Sequence, residues 1–376
     1  MSRESRIELT QEKARMFTLK RQFLTKPAKK PLDAVRAIIA IQAQYAASVP
    51  IAIWARCENL KSSWVDDAFS KTHELVKIWC MRSTIHAIAS SDLAMLAQSI
   101  GHEYSCEHLV RLKKCEGLDQ KDVQRQNNMI MSALANGPLY RSELHAKVPE
   151  LGKIRGASWG VDVKRLIFTG DVVINELSGR ETRFARRDIW LAEIPWKPQS
   201  KEIAMHQLLF RYLSSYGPAT IQDFAHWSGL RMQTIRSLFE SCASELIPIE
   251  VSDLPGTYYL LKKDEFLAKS IDDDLHETVI LPKFDALMMS HRDKSRFLDP
   301  SDYKKVFLPV AQVEALVLLR GKVAATWRSK SQGSKIIMNI KPFRKLNRDE
   351  LSNLHKACSS LSDFLGFRDF SHDINQ

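Results

Sequence analysis

No two of the six cysteines stand at Cys-x-x-Cys spacing; they are scattered at positions 57, 80, 106, 115, 242 and 358. That scatter argues against a zinc ribbon or an iron-sulfur ligand set and reads as the reduced thiols of a cytosolic protein. A Gly-rich phosphate loop is missing, as is a Gly-x-Ser-x-Gly elbow, so nucleotide hydrolysis and ordinary serine-esterase chemistry lack their parts. No stretch approaches the roughly 18 apolar residues of a membrane helix. The opening MSRESRIELTQEKARMF has no apolar export core. These absences together predict a soluble, cytoplasmic protein.

What is present is positive charge. Lys and Arg total 55 against 44 Asp and Glu, a formal net charge of +11, so the surface attracts polyanions, with nucleic acid first among them. The basic stretches at residues 26–30 and 183–187 lack the apolar face of a membrane-surface helix. Hydrophobic residues make up 44% and charged residues 26% of 376, which predicts a chain folded throughout, in two to four compact units.

An internal repeat organises the middle of the chain. GPLYRSEL begins at Gly137 and GPATIQDF at Gly217, an offset of 80 residues, each after a helix with apolar periodicity. A short helix, a turn and a second helix follow, the second carrying Lys164, Arg165 and Leu166 in one copy and Ile235, Arg236 and Leu238 in the other. Aligning Arg165 with Arg236 cuts the offset to 71, so the first copy has extra residues in its turn, around LGKIRGASW. Strand pairs then turn at Ser178-Gly179 and at Leu254-Pro255-Gly256.

Helix, helix-turn-helix and hairpin is the winged-helix order. A divergent third copy is expected at the N-terminus, with helices over residues 10–23, 31–43 and 63–71 and two strands turning at Met81-Arg82-Ser83. After residue 271 short apolar runs predict a small sheet or barrel, covered by a helix over residues 348–364. The expected fold is α+β: tandem winged helix-turn-helix modules at 1–120, 121–198 and 199–270, then a C-terminal β-barrel or sheet at 271–376.

Three clusters could carry chemistry. His102 and Cys106 have the i, i+4 spacing of metal ligands, with Glu103 and His108 close by, but a helix with polar residues outward is the simpler reading. Asp272, Asp273 and Asp274 read as a solvated linker. Gln42 continues the apolar stripe of Val35, Ile38 and Ile39, so a polar amide is aimed inward, where it needs full hydrogen bonding or a wet pocket. Gln44 lies two residues on. On an ideal helix the two would point about 200° apart, so they converge only if the helix ends or distorts between them.

With those residues in view, the chain resembles the AlkZ-like family of winged-helix DNA glycosylases, which includes the YcaQ-type proteins. The resemblance spans nearly the whole sequence. Its pieces are IQAQ (41–44), IAIWAR (51–56), WCMRSTIH (79–86), HWSGL (226–230), LPKFDALMMSHRDKSR (281–296) and GKVAATWR (321–328). The resemblance implies three tandem winged helices and a C-terminal barrel around a basic DNA channel. It also implies removal of alkylated purines, in some members by unhooking crosslinks, with Gln42 and Gln44 as the catalytic Gln-x-Gln. One departure is Asp293-Lys294 where Asp-Arg is expected; Lys lacks the planar fork for bidentate phosphate binding.

The expected reaction is hydrolysis of the N-glycosidic bond of purines alkylated at N3 or N7, without metal or organic cofactor. Gln44 is expected to hold the water and Gln42 to support it or the sugar. The partner is double-stranded DNA carrying such purines, with no obligate protein partner. Lys164, Arg165, Arg183, Arg186, Arg187, Arg231 and Arg236 are expected to contact DNA, mostly phosphate, from the recognition helices and a wing. Arg82, Arg292, Lys294 and Arg296 join them by resemblance, while Thr84 and His86 carry no assigned role. A Schiff-base lyase is disfavoured because no lysine neighbours the glutamines in sequence. Two alternatives stay open: a non-enzymatic winged-helix regulator and a protein-docking scaffold.

Overall fold

The computed structural model describes residues 7–271 and 278–374 and has mixed α+β architecture. It divides into two compact units. One comprises Met1–Ser62, Phe210–Trp227 and Arg231–Gln376; the other comprises Ser63–Leu209 with Ser228–Leu230. The four expected segments are finer than this division and cross it, since residues 1–120 fall on both sides of Ser62. The acidic run Asp272, Asp273 and Asp274 lies outside the described residues.

In the first unit Thr10 caps helix Gln11–Arg21, its hydroxyl accepting from the Lys13 amide at 3.1 Å. Strand Ile7–Leu9 runs parallel to Leu246–Val251, which pairs antiparallel with Leu254–Leu261. In chain order this hairpin follows helices Lys201–Tyr216, Ile221–Ser228 and Met232–Ser241, with Ala219 bridged to Tyr259. Tyr212 packs against Phe224 and Trp227 with ring centroids 5.0 and 4.9 Å apart, an aromatic knot whose edge-to-face and tilted contacts suit the ring quadrupoles.

The C-terminal sheet of this unit orders its strands as Thr278–Leu281, Ala315–Leu319, Lys322–Gln332, Lys335–Pro342 and Asp369–Ile374. The last pairing is parallel and the others antiparallel. Among the described residues its two edge strands do not pair with each other, so it is an open sheet and not a closed barrel. Helix Arg348–Phe364, capped reciprocally by Asn347 and Glu350, buries Leu354, Cys358 and Leu361 against Trp327, Ile336 and Met338.

One local expectation changes with consequences for the site. The helix expected over residues 31–43 stops at Ala37, Ile39 takes a φ of +65°, and Ala40–Gln42 is a strand. The reason is tertiary. The Tyr216 hydroxyl donates to the Ile38 carbonyl at 2.5 Å and the Arg211 guanidinium to the Arg36 carbonyl at 2.6 Å. These donors satisfy carbonyls that further helical turns would have bonded.

In the second unit the sheet places Ile85–Ala89, Leu75–Trp79, Val172–Ile174, Arg183–Arg186 and Leu139–Tyr140 side by side in that order. The helices before and between these strands include His102–Glu116, Gln120–Ala133, Arg141–Lys147 and Lys164–Phe168. From residue 120 onward the order is again helix, short strand, helix, helix, hairpin. The extra turn residues form two short helical turns, Leu151–Lys153 and Ala157–Trp159, with Gly156 and Gly160 at φ of +85° and +74°.

Candidate active site

Gln42 ends the strand and Gln44 follows two residues on, where the chain bends ahead of helix Ser48–Trp54. Their amides meet. Gln42 Nε2 donates to Gln44 Oε1 at 3.3 Å. Gln42 is 6% exposed, and its Oε1 is buried with no hydrogen-bond partner among the described residues. A buried amide oxygen left in that state costs about 1–3 kcal/mol. It is an acceptor awaiting a donor, while Gln44 faces solvent.

The next residue anchors the loop. Tyr45 stacks on Phe284 with centroids 5.7 Å apart and an interplanar angle of 18°, and its hydroxyl donates to Gln312 Oε1 at 2.8 Å. The Lys283 ammonium lies 5.4 Å from the Tyr45 ring centroid. Behind the following helix, Ser48–Trp54, Arg56 and Asp285 form an ion pair at zero exposure, with contacts of 2.9 and 2.7 Å. Arg56 also donates to the Ala52 carbonyl and Gln22 Oε1, and Asp285 accepts from the Leu287 amide. Both charges thus have a partner, the condition for tolerating a buried pair, and of their polar atoms only the buried Arg56 Nε is left without one among the described residues.

Two residues of the segment 291–296 differ from expectation. Lys294 is 7% exposed, bonded through Nζ to the His291 carbonyl and lying over Phe307; Arg296 is 3% exposed and donates to the Pro218 carbonyl at 2.8 Å. Burial lowers the Arg296 pKa, partly offset by Asp223. Both side chains face inward, so the question of a planar fork for phosphate does not arise at Lys294. The His291 ring donates from Nε2 to the Tyr216 carbonyl at 2.7 Å, and burial, aided by Arg296, pushes its pKa down to about 3. Arg292 is exposed, with its backbone amide tied to Asp223. Arg231 and Arg236 are exposed at the start and on the outside of helix Met232–Ser241.

The remaining candidates belong to the second unit. Arg82 sits half-buried in a turn at φ +54°, and its backbone packs on Gly229 so closely that a Cβ there would stand 3.1 Å from the Arg82 Cα. Thr84 Oγ1 donates back to the Met81 carbonyl at 3.1 Å, and His86 Nδ1 to the Thr84 carbonyl at 3.0 Å. Burial, then the Arg82 charge, drives the His86 pKa down to about 3. Thr84 and neutral His86 therefore brace the turn that presents Arg82.

Lys164 lies 5.4 Å from the Trp79 ring, with its pKa lowered by burial and then by Arg111; Arg165 is half-buried. Arg183 lies over Tyr140 at 5.3 Å. Arg186 makes a two-point pair with Asp188 at 3.0 and 2.6 Å, and Arg187 stacks on Trp196 at 4.1 Å while donating to the Gly170 carbonyl. These two are committed to internal partners. Of the metal-spaced residues, His108 donates to the Val161 carbonyl at 2.9 Å and is pushed to a pKa of about 4 by burial, while Cys106 lies 4.0 Å from His102. No cluster of three potential ligands exists among the described residues.

Tyr45, Arg56, Asp285 and Gly229 were not singled out in the sequence. The available signal was a charge inside each of two apolar runs, IAIWAR and LPKFDALMM, since a charge flanked by buried residues demands a partner.

Three comparisons bear on this geometry. A family model described as DNA glycosylase AlkZ-like matches residues 35–364. A curated relative, the interstrand DNA cross-link repair glycosylase of Streptomyces sahachiroi, is 21% identical over 302 residues, covering 77% of this chain and 78% of its own. The solved structure of Streptomyces sahachiroi DNA glycosylase AlkZ superposes with a TM-score of 0.84 at 18% identity, covering 98% of this chain and all of that one. The structural match speaks for the fold. Among the described residues no helix is long and apolar enough to cross a membrane.

Proposed function

The chain belongs to the AlkZ-like DNA glycosylase family, and from that premise we propose that it hydrolyses the N-glycosidic bond of N3- or N7-alkylated purines in double-stranded DNA, with Gln42 and Gln44 as its catalytic pair. The observation that carries this reading is the meeting of the two amides around a buried, unpartnered carbonyl oxygen.

Alkylation at N3 or N7 gives the purine a positive charge. As the C1′–N bond breaks, its electron pair goes to the base, which leaves neutral, and the charge passes to an oxocarbenium-like sugar. Water then bonds to C1′ and gives its proton to solvent. A neutral amide takes no proton at working pH, but its carbonyl accepts a hydrogen bond from the water and sets partial negative charge near the cation. Gln44 Oε1 holds the water. Gln42 fixes the Gln44 rotamer through Nε2 and offers its free Oε1 to the same water or to the sugar. Weak assistance suffices only for an already activated base, so undamaged purines are spared.

The two stretches with helix, strand, helix, helix, hairpin order are read as winged helices, and residues 1–120 as a divergent third. Arg231, Arg236 and Arg292 of the first unit, and Arg82, Lys164, Arg165 and Arg183 of the second, supply phosphate contacts, supported by exposure or only partial burial. The name of the relative, an interstrand DNA cross-link repair glycosylase, supports crosslinked DNA as one substrate of this chain. The reaction takes place where the DNA is, in the cytoplasm.

The test is release of free base from duplex DNA carrying N7-methylguanine or a bulky N7 adduct. The intact protein is expected to release it, and a folded, DNA-binding Gln42→Ala, Gln44→Ala variant is not. Equal release by both proteins sinks the glutamine assignment; no release by either sinks the reading of alkylated purines as substrate.

A further inference from the structure

Trp159 alone of the eight tryptophans is exposed, at 79%. It lies in the second unit, on the turn whose extra residues distinguish the first repeated stretch from the second. A large aromatic in water on a fixed support is apolar surface that a partner would cover.

The support is fixed from several sides. Arg141 donates from Nη1 to the Ser158 carbonyl at 2.6 Å and from Nη2 to Thr182 Oγ1 at 2.9 Å. His108 holds the Val161 carbonyl. Gly160, at φ +74°, lies so close to the Trp79 indole that a Cβ would meet it at 2.5 Å. Trp159 is thus held outward by a braced turn and not by chance of a loose loop.

Along the turn itself the exposed charges carry one sign, and the exposed Glu150 just before it lies 3.8 Å from Arg125. Between residues 151 and 165 the charged residues are Lys153, Arg155, Asp162, Lys164 and Arg165. The sole carboxylate, Asp162, is 7% exposed and bonded to His145 at 2.7 Å, whereas Lys153 and Arg155 are exposed. The turn therefore presents an indole face among cations. Single-stranded and unstacked nucleic acid fits that combination, because cations pair with phosphates while an aromatic face stacks on a base. A second copy of the turn would bring like charges together.

We propose that Trp159 is a nucleobase-stacking residue, with Lys153 and Arg155 on the flanking phosphates, and that this turn prefers DNA whose stack is interrupted. The choice of DNA as partner rests on the glycosylase reading. In an intact duplex the base faces are covered by their neighbours, so the indole gains a partner only where a base is unpaired or displaced. The turn is then a sensor of distortion, separate in the chain from the glutamine pair.

The experiment is fluorescence anisotropy with the full-length protein on two labelled duplexes, one perfect and one with a single unpaired base, across a salt series. The wild type is expected to prefer the interrupted duplex by about ten-fold, within the range base-aromatic stacking supports. Trp159→Ala abolishes the preference without changing the salt slope, and Trp159→Phe keeps most of it. Lys153→Ala with Arg155→Ala weakens both duplexes alike and lowers the salt slope by about two. Equal binding of both duplexes by wild type and Trp159→Ala overturns the proposal, as does a dimer that Trp159→Ala dissociates with DNA binding unchanged. Loss of base-release activity across all adducts would leave this result standing and count against the glycosylase reading alone.

Discussion

Arg56 and Asp285, 229 residues apart in sequence, meet in a two-point ion pair with neither side chain exposed to solvent. The pair joins the helix that follows the glutamine loop to the segment carrying Phe284, on which Tyr45 stacks. The site is therefore built on an electrostatic tie between distant parts of one unit. Asp285→Asn leaves the guanidinium unpaired in the core, and the expected loss is about 3–5 kcal/mol. A fall in the urea midpoint at constant slope reads it; a loss under about 1 kcal/mol would show that water or another residue compensates.

The two glutamines are expected to separate kinetically. Each substitution by alanine should lower the rate of base release at saturating DNA by about 10², the range for removing one preorganised polar group, with DNA affinity little changed. Because an amide does not titrate, the rate should stay flat from about pH 6 to 8. A bell-shaped profile would point to an ionising catalyst instead.

Acid should destabilise the fold through its buried histidines. His86 and His291 are held at a pKa of about 3 and His108 at about 4, each mainly by burial. The unfolded chain takes up these protons near pH 6.5 and the folded chain does not, so their stability contribution is complete above about pH 6.5 and lost as pH falls toward the folded values. Each buried ring removes up to about 1.4 kcal/mol per pH unit in that window. Urea midpoints at pH 7 and 5 test this; an unchanged midpoint would mean the rings are protonated inside the fold.

Gly229→Ala should damage the turn that carries Arg82. Gly229 has a φ of +75°, and a Cβ there would crowd the Tyr104 hydroxyl and the Arg82 backbone. The backbone penalty alone is about 1–2 kcal/mol, so the melting temperature should fall by several degrees. Tyr104→Phe in the same chain removes the crowded oxygen and should restore part of the loss. No recovery would place the cost in the backbone.

Arg292 and Arg296 should part company despite sharing one basic segment. Arg292→Ala removes an exposed cation and is expected to lower the salt slope of DNA binding by about one with folding unaffected. Arg296→Ala removes a buried guanidinium bonded to the Pro218 carbonyl, so its loss should appear in the urea midpoint. The reverse pattern would put Arg296 on the DNA surface.

Local pattern and composition were enough to determine the α+β class, the repeated helix-to-hairpin order at Gly137 and Gly217, the terminal helix and the polyanion-seeking charge. These follow from periodicity and turn residues, which act between near neighbours. Periodicity singled out Gln42 as an inward-facing amide, and family resemblance marked Gln42 and Gln44 as the catalytic pair. Tertiary contacts alone decided that they converge, because the donors that end their helix, Tyr216 and Arg211, come from more than 170 residues away. The same holds for which cations reach water. Arg292 and Arg296 read alike in a string of basic residues, and only the packing of Pro218, Thr18 and Tyr258 around one of them draws it into the core, since burial of a charge is settled by the partners that the fold brings to it.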